Sequence, residues 1–328
     1  MEKIVLKDMY SLVEEVKNHR ELFPAHVDCK KARCDLEAYY DGVLANRTFM
    51  GGMQLIKSFG AKIPAVRKKA ARKVAANVMD IYPQSRCDAY IRDSVEDILV
   101  NGDRYIEAYE LLDADSKAVY LDLLLFRLTG DFTYVLKHVC PSRQYFSEKI
   151  KWKEHPNIID CGAYTGDTFL AFYDMGITPN HYFLYELEDE NYKSLIDNIN
   201  GKNCNVHPAK KGVYSEKATF YYESLGDSSR LVPYETEQKV EVVALDDDVD
   251  VKPDFIKMDI EGGEAPALRG GANLIKKYHP TLAVCIYHLK DDFWKIPLLI
   301  HEICPAYKHY WIEHYSLGYN ETVLFVDM

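Results

Sequence analysis

Residues 255–264 read FIKMDIEGGE, an apolar run that ends in Asp259, Glu261 and Glu264 with Gly262 and Gly263 between them. Three carboxylates crowded at the end of a buried strand repel one another unless they meet a cation or a proton. Such a group can orient a cationic ligand, act as a general base, or hold a divalent metal. The competing reading is that Glu261 and Glu264 favour the first turn of the next helix through its dipole. Lys257 alternates to the other face and can pair with one of the acids. His288 follows a second apolar run, residues 282–287. A neutral imidazole there can take the proton of a hydroxyl that attacks an electrophile.

A second stretch, residues 159–168, reads IDCGAYTGDT. A strand ends, two glycines stand four apart, and a helix begins. Glycines permit tight turns and close backbone approach, and a helix start carries unpaired N–H donors. Glu186 comes 20 residues after Gly166, at the end of the next apolar run. An acid at that place accepts hydrogen bonds from ribose hydroxyls in nucleotide-binding α/β folds. A dinucleotide site wants G-x-G-x-x-G with a pyrophosphate on the helix start. Here an acid, Asp167, occupies the helix start. It suits a ligand that lacks phosphate and carries a positive centre. S-adenosylmethionine, with its sulfonium, ammonium and ribose diol, is such a ligand.

The elements that must position these residues alternate in type from about residue 157. Strands are predicted over residues 157–160, 182–185, 218–222, 240–244, 255–258, 282–287 and 322–326, with helices over 168–175, 191–199 and 265–277. This βα order predicts a doubly wound, mostly parallel sheet with ligands at the carboxyl ends of its strands. Residues 310–313 and 322–326, joined through Gly318-Tyr319-Asn320, predict an antiparallel hairpin at one edge. Residues 1–140 instead show helical spacing, in segments from Ser11, over 33–50, over 93–112 and over 115–128. Asp115-Ser116 is the expected N-cap region of the last, and Gly130 its stop.

Three stretches resemble the FkbM family of S-adenosylmethionine-dependent methyltransferases: IDCGAYTGDT (159–168), VVALDD (242–247) and FIKMDIEGGEAPALRGG (255–271). The third is the most specific, through its K-x-D-x-E-G-x-E pattern. The chain departs from the family in having Leu187 where Pro often follows the acid, and Cys161 where Val is commoner. The resemblance implies an α/β fold: a Rossmann-like class I methyltransferase sheet over residues 144–328, preceded by an N-terminal helical domain, residues 1–143. It implies methyl transfer to a hydroxyl, with a sugar, glycan or glycan precursor as acceptor. It places Asp160, Gly162, Ala163, Gly166, Asp167, Thr168 and Asp259 around the cofactor, with Glu186 on the ribose. His288 is the expected base, with Asp259 and Glu261 assisting it or holding a divalent metal.

Composition bounds the alternatives. The 328 residues are 48% hydrophobic and 28% charged, the balance of a soluble globular chain of about two domains. The net charge of −11 argues against a nucleic-acid partner. Residues 1–150 carry 23 basic and 22 acidic residues, the remainder 17 and 29, so the acidity lies in the half expected to hold a cationic cofactor. No run is apolar enough to span a bilayer, and no signal-peptide pattern opens the chain, so a cytoplasmic location is expected. Eight cysteines without a C-x-x-C pair read as reduced core residues. The basic stretch from Lys62 to Lys73 is either a solvated helix face or a contact for an anionic acceptor or membrane surface. Tyr307, Tyr310, Trp311, Tyr315 and Tyr319 are either core or a carbohydrate-stacking surface. A homo-oligomer is compatible with all of this. Two rival functions stay open: an NAD(P)-dependent oxidoreductase, and a non-catalytic binding scaffold.

Overall fold

In the computed structural model, which describes residues 8–46, 64–140, 142–202, 204–224 and 229–328, the chain forms two units. One comprises the residues up to Ser147 together with Trp311–Thr322, and the other Glu148–Tyr310 with Val323–Met328. The tip of the final hairpin thus belongs to the helical unit, whereas the sequence reading places all of 144–328 in the second domain.

The helical unit contains α1 (Met9–Asn18), α2 (Cys29–Asn46), α3 (Pro64–Ile81), α4 (Gln84–Leu111), α5 (Ala114–Thr129) and α6 (Phe132–Leu136). Helix α5 starts at Ala114, one residue before the expected Asp115. Asp113 is its N-cap, because its carboxylate accepts the Ser116 N–H at 2.8 Å. Gly130 ends it in the left-handed conformation at φ +66°, and a Cβ there would lie 2.3 Å from Val27 Cγ2. Tyr319 stacks on Tyr90 (4.0 Å between centroids) and on Phe126 (4.3 Å). Tyr319 and Trp311 are buried here, as Tyr307 and Tyr310 are in the other unit, so these aromatics are core and not a stacking surface. Lys62 and the end of the 33–50 segment lie outside the described residues. Lys68 and Lys69 are exposed on α3. No helix among the described residues is long and apolar enough to cross a membrane.

The second unit follows the predicted alternation: β1 (Asn157–Cys161), α7 (Asp167–Asp174), β2 (His181–Tyr185), α8 (Asp189–Ile199), β3 (Val206–Ala209), β4 (Gly212–Val213), β5 (Ala218–Ser224), β6 (Ser229–Val232), β7 (Lys239–Val243), α9 (Leu245–Asp248), β8 (Phe255–Met258), α10 (Glu264–Gly270), α11 (Ala272–Tyr278), β9 (Thr281–Cys285) and α12 (Asp292–Ile303), then β10 (His309–His314) and β11 (Thr322–Asp327). Seven strands form one sheet in the order β10-β11-β9-β8-β1-β2-β3. Its centre, from β9 to β3, is parallel, and β11 runs antiparallel to β9. The order reverses between β1 and β8, and the carboxyl ends of those two strands are where such a sheet opens a crevice.

Strands β4 to β7 do not join this sheet. They form a separate one, ordered β4-β7-β5-β6 and mostly antiparallel. The burial patterns give the reason. β8 is buried at all four positions, as a strand covered on both faces must be, whereas β7 alternates exposed and buried residues. Tyr222, Val240 and Val242 form a small core under that second sheet. The helix expected over 265–277 is two helices. A Cβ on Gly270 would lie 2.0 Å from the Tyr214 carbonyl, and the chain breaks at Gly271. Asp246 accepts the N–H groups of Asn273 and Leu274, so this acid caps α11 and does not face the crevice.

Candidate functional site

A buried ion pair ties together the two strands that flank the crevice. Asp160 on β1 and Lys257 on β8 are cross-strand neighbours, 0% and 3% exposed. Lys257 Nζ donates to Asp160 Oδ1 at 2.8 Å and to the Gly162 carbonyl at 2.6 Å, and Tyr182 OH donates to Asp160 Oδ2 at 3.2 Å. Burial disfavours the ammonium, but Asp160 and Asp259 more than offset it and hold Lys257 above its usual range. Asp160 therefore points into a clamp beneath the glycine loop. The resemblance assigns it to the cofactor, and the structure gives its side chain a positioning task.

The clamp fixes a loop with three left-handed residues, Gly162 (φ +81°), Tyr164 (φ +48°) and Gly166 (φ +83°). The amides of Gly162 and Ala163 both donate to the Tyr185 carbonyl, at 3.0 and 2.9 Å. A Cβ on Gly162 would lie 1.9 Å from the Asp259 carbonyl oxygen, and one on Gly166 2.8 Å from Leu195 Cδ1. Neighbouring protein, not a ligand alone, thus demands both glycines. We expect Gly162→Ala to cost about 3 kcal/mol, from strain at positive φ and overlap with backbone that cannot retreat. Its denaturant midpoint should fall at unchanged slope, and a midpoint equal to wild type would contradict this close approach.

Gly166 caps α7 without a side-chain acceptor or donor. The first turn brings Asp167, exposed, and Thr168, buried. Beside the loop, Glu186 ends β2 and is 7% exposed. Its oxygens accept the N–H groups of Tyr164 (2.9 Å) and Glu188 (2.8 Å). Burial raises its pKa, while those two backbone donors favour the charged form. Each oxygen keeps a further lone pair for a ligand hydroxyl.

Beyond β8 lies the acid–imidazole cluster. His288 follows β9, and its side chain is 5% exposed. Its Nδ1 stands 2.9 Å from Glu264 Oε1, and its Nε2 3.3 Å from Asp259 Oδ1 and 3.7 Å from Glu261 Oε2. These are ion-pair distances, but neither ring nitrogen is aligned for a hydrogen bond. Glu264 is wholly buried at the start of α10 and accepts the Ile260 N–H at 2.9 Å. Tyr287 OH donates to Asp259 Oδ1 at 3.2 Å. Burial disfavours a charged ring, yet Glu264 and Asp259 outweigh it and hold the His288 pKa well above its ordinary value. Asp292, 2% exposed at the start of α12, is pushed up to about 7 by burial and by Glu264.

The structure thus brings His288, Asp259 and Glu261 together, as the sequence reading expects. It also places Glu264 there, which that reading leaves open between a site carboxylate and a helix-start acid, and adds Asp292, which it passes over. Spacing alone does not mark Asp292, because DDFW at 291–294 reads as any helix N-terminus. The expectation of a neutral His288 base meets the three carboxylates around it, which favour the protonated ring.

Residues 160–319 match the family described as Methyltransferase FkbM domain. No curated protein matches the chain significantly. The fold is similar to the crystal structure of methyltransferase FkbM from Methylobacillus flagellatus KT, with TM-score 0.62 and 24% identity over 70% of this chain. This chain covers 60% of that protein's length. A more distant likeness, to Aeropyrum pernix fibrillarin in complex with natively bound S-adenosyl-L-methionine, has TM-score 0.36 and 12% identity over 55% of this chain and 70% of that one.

Proposed function

We propose, from the match of residues 160–319 to the methyltransferase FkbM domain, that this chain is an S-adenosylmethionine-dependent O-methyltransferase. The observation that carries the reading is a juxtaposition at adjoining strand ends. A glycine loop beside the buried Glu186 closes one side, and Asp259 joins that loop to the acid–imidazole cluster on the other. Asp259 N donates to the Cys161 carbonyl at 3.0 Å, which fixes the two sides to each other.

The residues fit the cofactor. The loop from Gly162 to Gly166 curls at the start of α7, which no side chain caps, and Asp167 there suits a cation and not a pyrophosphate. When bound, S-adenosylmethionine supplies an electrophilic methyl group on a sulfonium. Glu186 would hold the ribose diol, with the backbone of Gly162, Ala163 and Gly166 and the Asp167–Thr168 turn around the remainder. Asp259 and Glu261, with His288 between them, would hold the acceptor hydroxyl, and a carboxylate of the pair would receive its proton. In-line displacement at a methyl carbon needs mainly positioning and a modest base, and this rigid cluster is suited to supply both.

The acceptor we infer is a sugar hydroxyl in a glycan or a glycan precursor. This class rests on the FkbM resemblance. Mass spectrometry of cellular glycans and lipids with and without the gene should reveal a sugar that lacks one methyl group. Identical profiles would sink the acceptor class. We expect His288→Gln to bind S-adenosylmethionine within about 3-fold of wild type while turnover falls by about two orders of magnitude, the usual share of acid–base catalysis. Unchanged turnover would remove His288 from the site's chemistry.

A further inference from the structure

Three carboxylates, those of Asp259, Glu261 and Glu264, surround one imidazole. The ring's two edges differ. Nδ1 faces Glu264, which is 0% exposed, whereas Nε2 faces Asp259 and Glu261, which are 23% and 36% exposed. The ring itself is 95% buried, with neither nitrogen in a hydrogen bond.

We propose that His288 Nε2, Asp259 and Glu261 bind one divalent transition-metal cation, with Glu264 holding the ring from behind. Ligand atoms about 2.1 Å from one cation stand about 3.0 Å apart at right angles and about 3.4 Å apart at tetrahedral angles. The separations from Nε2 to Asp259 Oδ1 and Glu261 Oε2, 3.3 and 3.7 Å, are close to that range before any ion draws them together. A metal-bound imidazole almost always turns its other nitrogen to a carboxylate or carbonyl, which fixes its tautomer and orientation. Glu264, 2.9 Å from Nδ1, stands where that partner belongs. The imidazole ligand favours manganese, iron or zinc over magnesium and calcium, which take oxygen ligands.

The role of this ion rests on the methyl-transfer reading. Bound to the acceptor oxygen, a divalent cation lowers the pKa of the hydroxyl, whose proton then leaves to water or a neighbouring carboxylate as the oxygen–methyl bond forms. The experiment uses the full chain, freed of metal with a chelator, desalted and titrated with manganese(II) chloride. Loss of the free-ion electron paramagnetic resonance signal reads binding. We expect one manganese ion per chain, with magnesium competing at least about 10-fold more weakly. Glu261→Gln and His288→Gln should each weaken manganese binding by about 10- to 100-fold. Glu261 is half-exposed, so its variant keeps the test open if His288→Gln does not fold. A folded wild-type chain that binds neither manganese nor zinc overturns the proposal, as does an unchanged affinity in Glu261→Gln. A parallel titration with S-adenosylmethionine separates the two readings. Metal binding without cofactor binding sinks the methyl-transfer reading alone, and the reverse sinks the cation site alone.

Discussion

Replacing Lys257 by Met should destabilise the sheet-containing unit by about 3–5 kcal/mol, the cost of leaving a buried charge without its partner. Asp160 is 0% exposed, and its nearest positive charge is the Lys257 ammonium 2.8 Å away. Removing the ammonium also removes a donor from the Gly162 carbonyl, at the base of the glycine loop. The double variant Lys257→Met with Asp160→Leu should recover much of the loss, because no lone charge is then buried. Urea denaturation of the four members of this cycle gives the coupling directly. Near-additive single effects would show that the two residues do not act as a pair.

Glu186→Ala should weaken S-adenosylmethionine binding by about 100-fold or more. A hydrogen bond to a charged group contributes about 1.5–3 kcal/mol, and a ribose diol offers two. The variant also strands the Tyr164 and Glu188 amides that the carboxylate now accepts, so the loop loses its anchor as well as the ligand's partner. Glu186→Gln separates these contributions. It keeps one acceptor oxygen in place and should lose about 10-fold, since a neutral acceptor makes the weaker bond. Calorimetric titration checks both, with thermal melts to show that each variant folds. Wild-type affinity in Glu186→Ala would remove Glu186 from the cofactor site.

Where the chain carries continuous apolar runs, its sequence is enough to place the strands. β1, β2 and β8 lie within a residue or so of their expected bounds, because central parallel strands must be apolar on both faces. The separate sheet from β4 to β7 was hidden in strands of the same general look, and only the alternation in β7 hints at a face left in water. Helix α12 was missed because Pro297 lies inside it, a residue that ordinarily ends a helix.

The site was legible in part for a similar reason. Asp259, Glu261 and His288 sit at strand ends, and residue type with position is enough to nominate them. Burial is not readable that way. Nothing in K-x-D-x-E-G-x-E says that Glu264 is sealed while Glu261 is half-exposed, nor that Lys257 crosses to Asp160 and leaves the acids beside it. Those distinctions come from which loops pack together, and Gly162 against the Asp259 carbonyl is the contact that decides them.

Methyl transfer stands or falls first on the cofactor. Calorimetric titration of the full chain with S-adenosylmethionine and, separately, with reduced and oxidised nicotinamide dinucleotides puts the two chemistries against each other. The glycine loop, Asp167 at the start of α7 and the buried Glu186 lead us to expect one S-adenosylmethionine per chain and no nicotinamide binding. Nicotinamide binding without S-adenosylmethionine binding would contradict that reading.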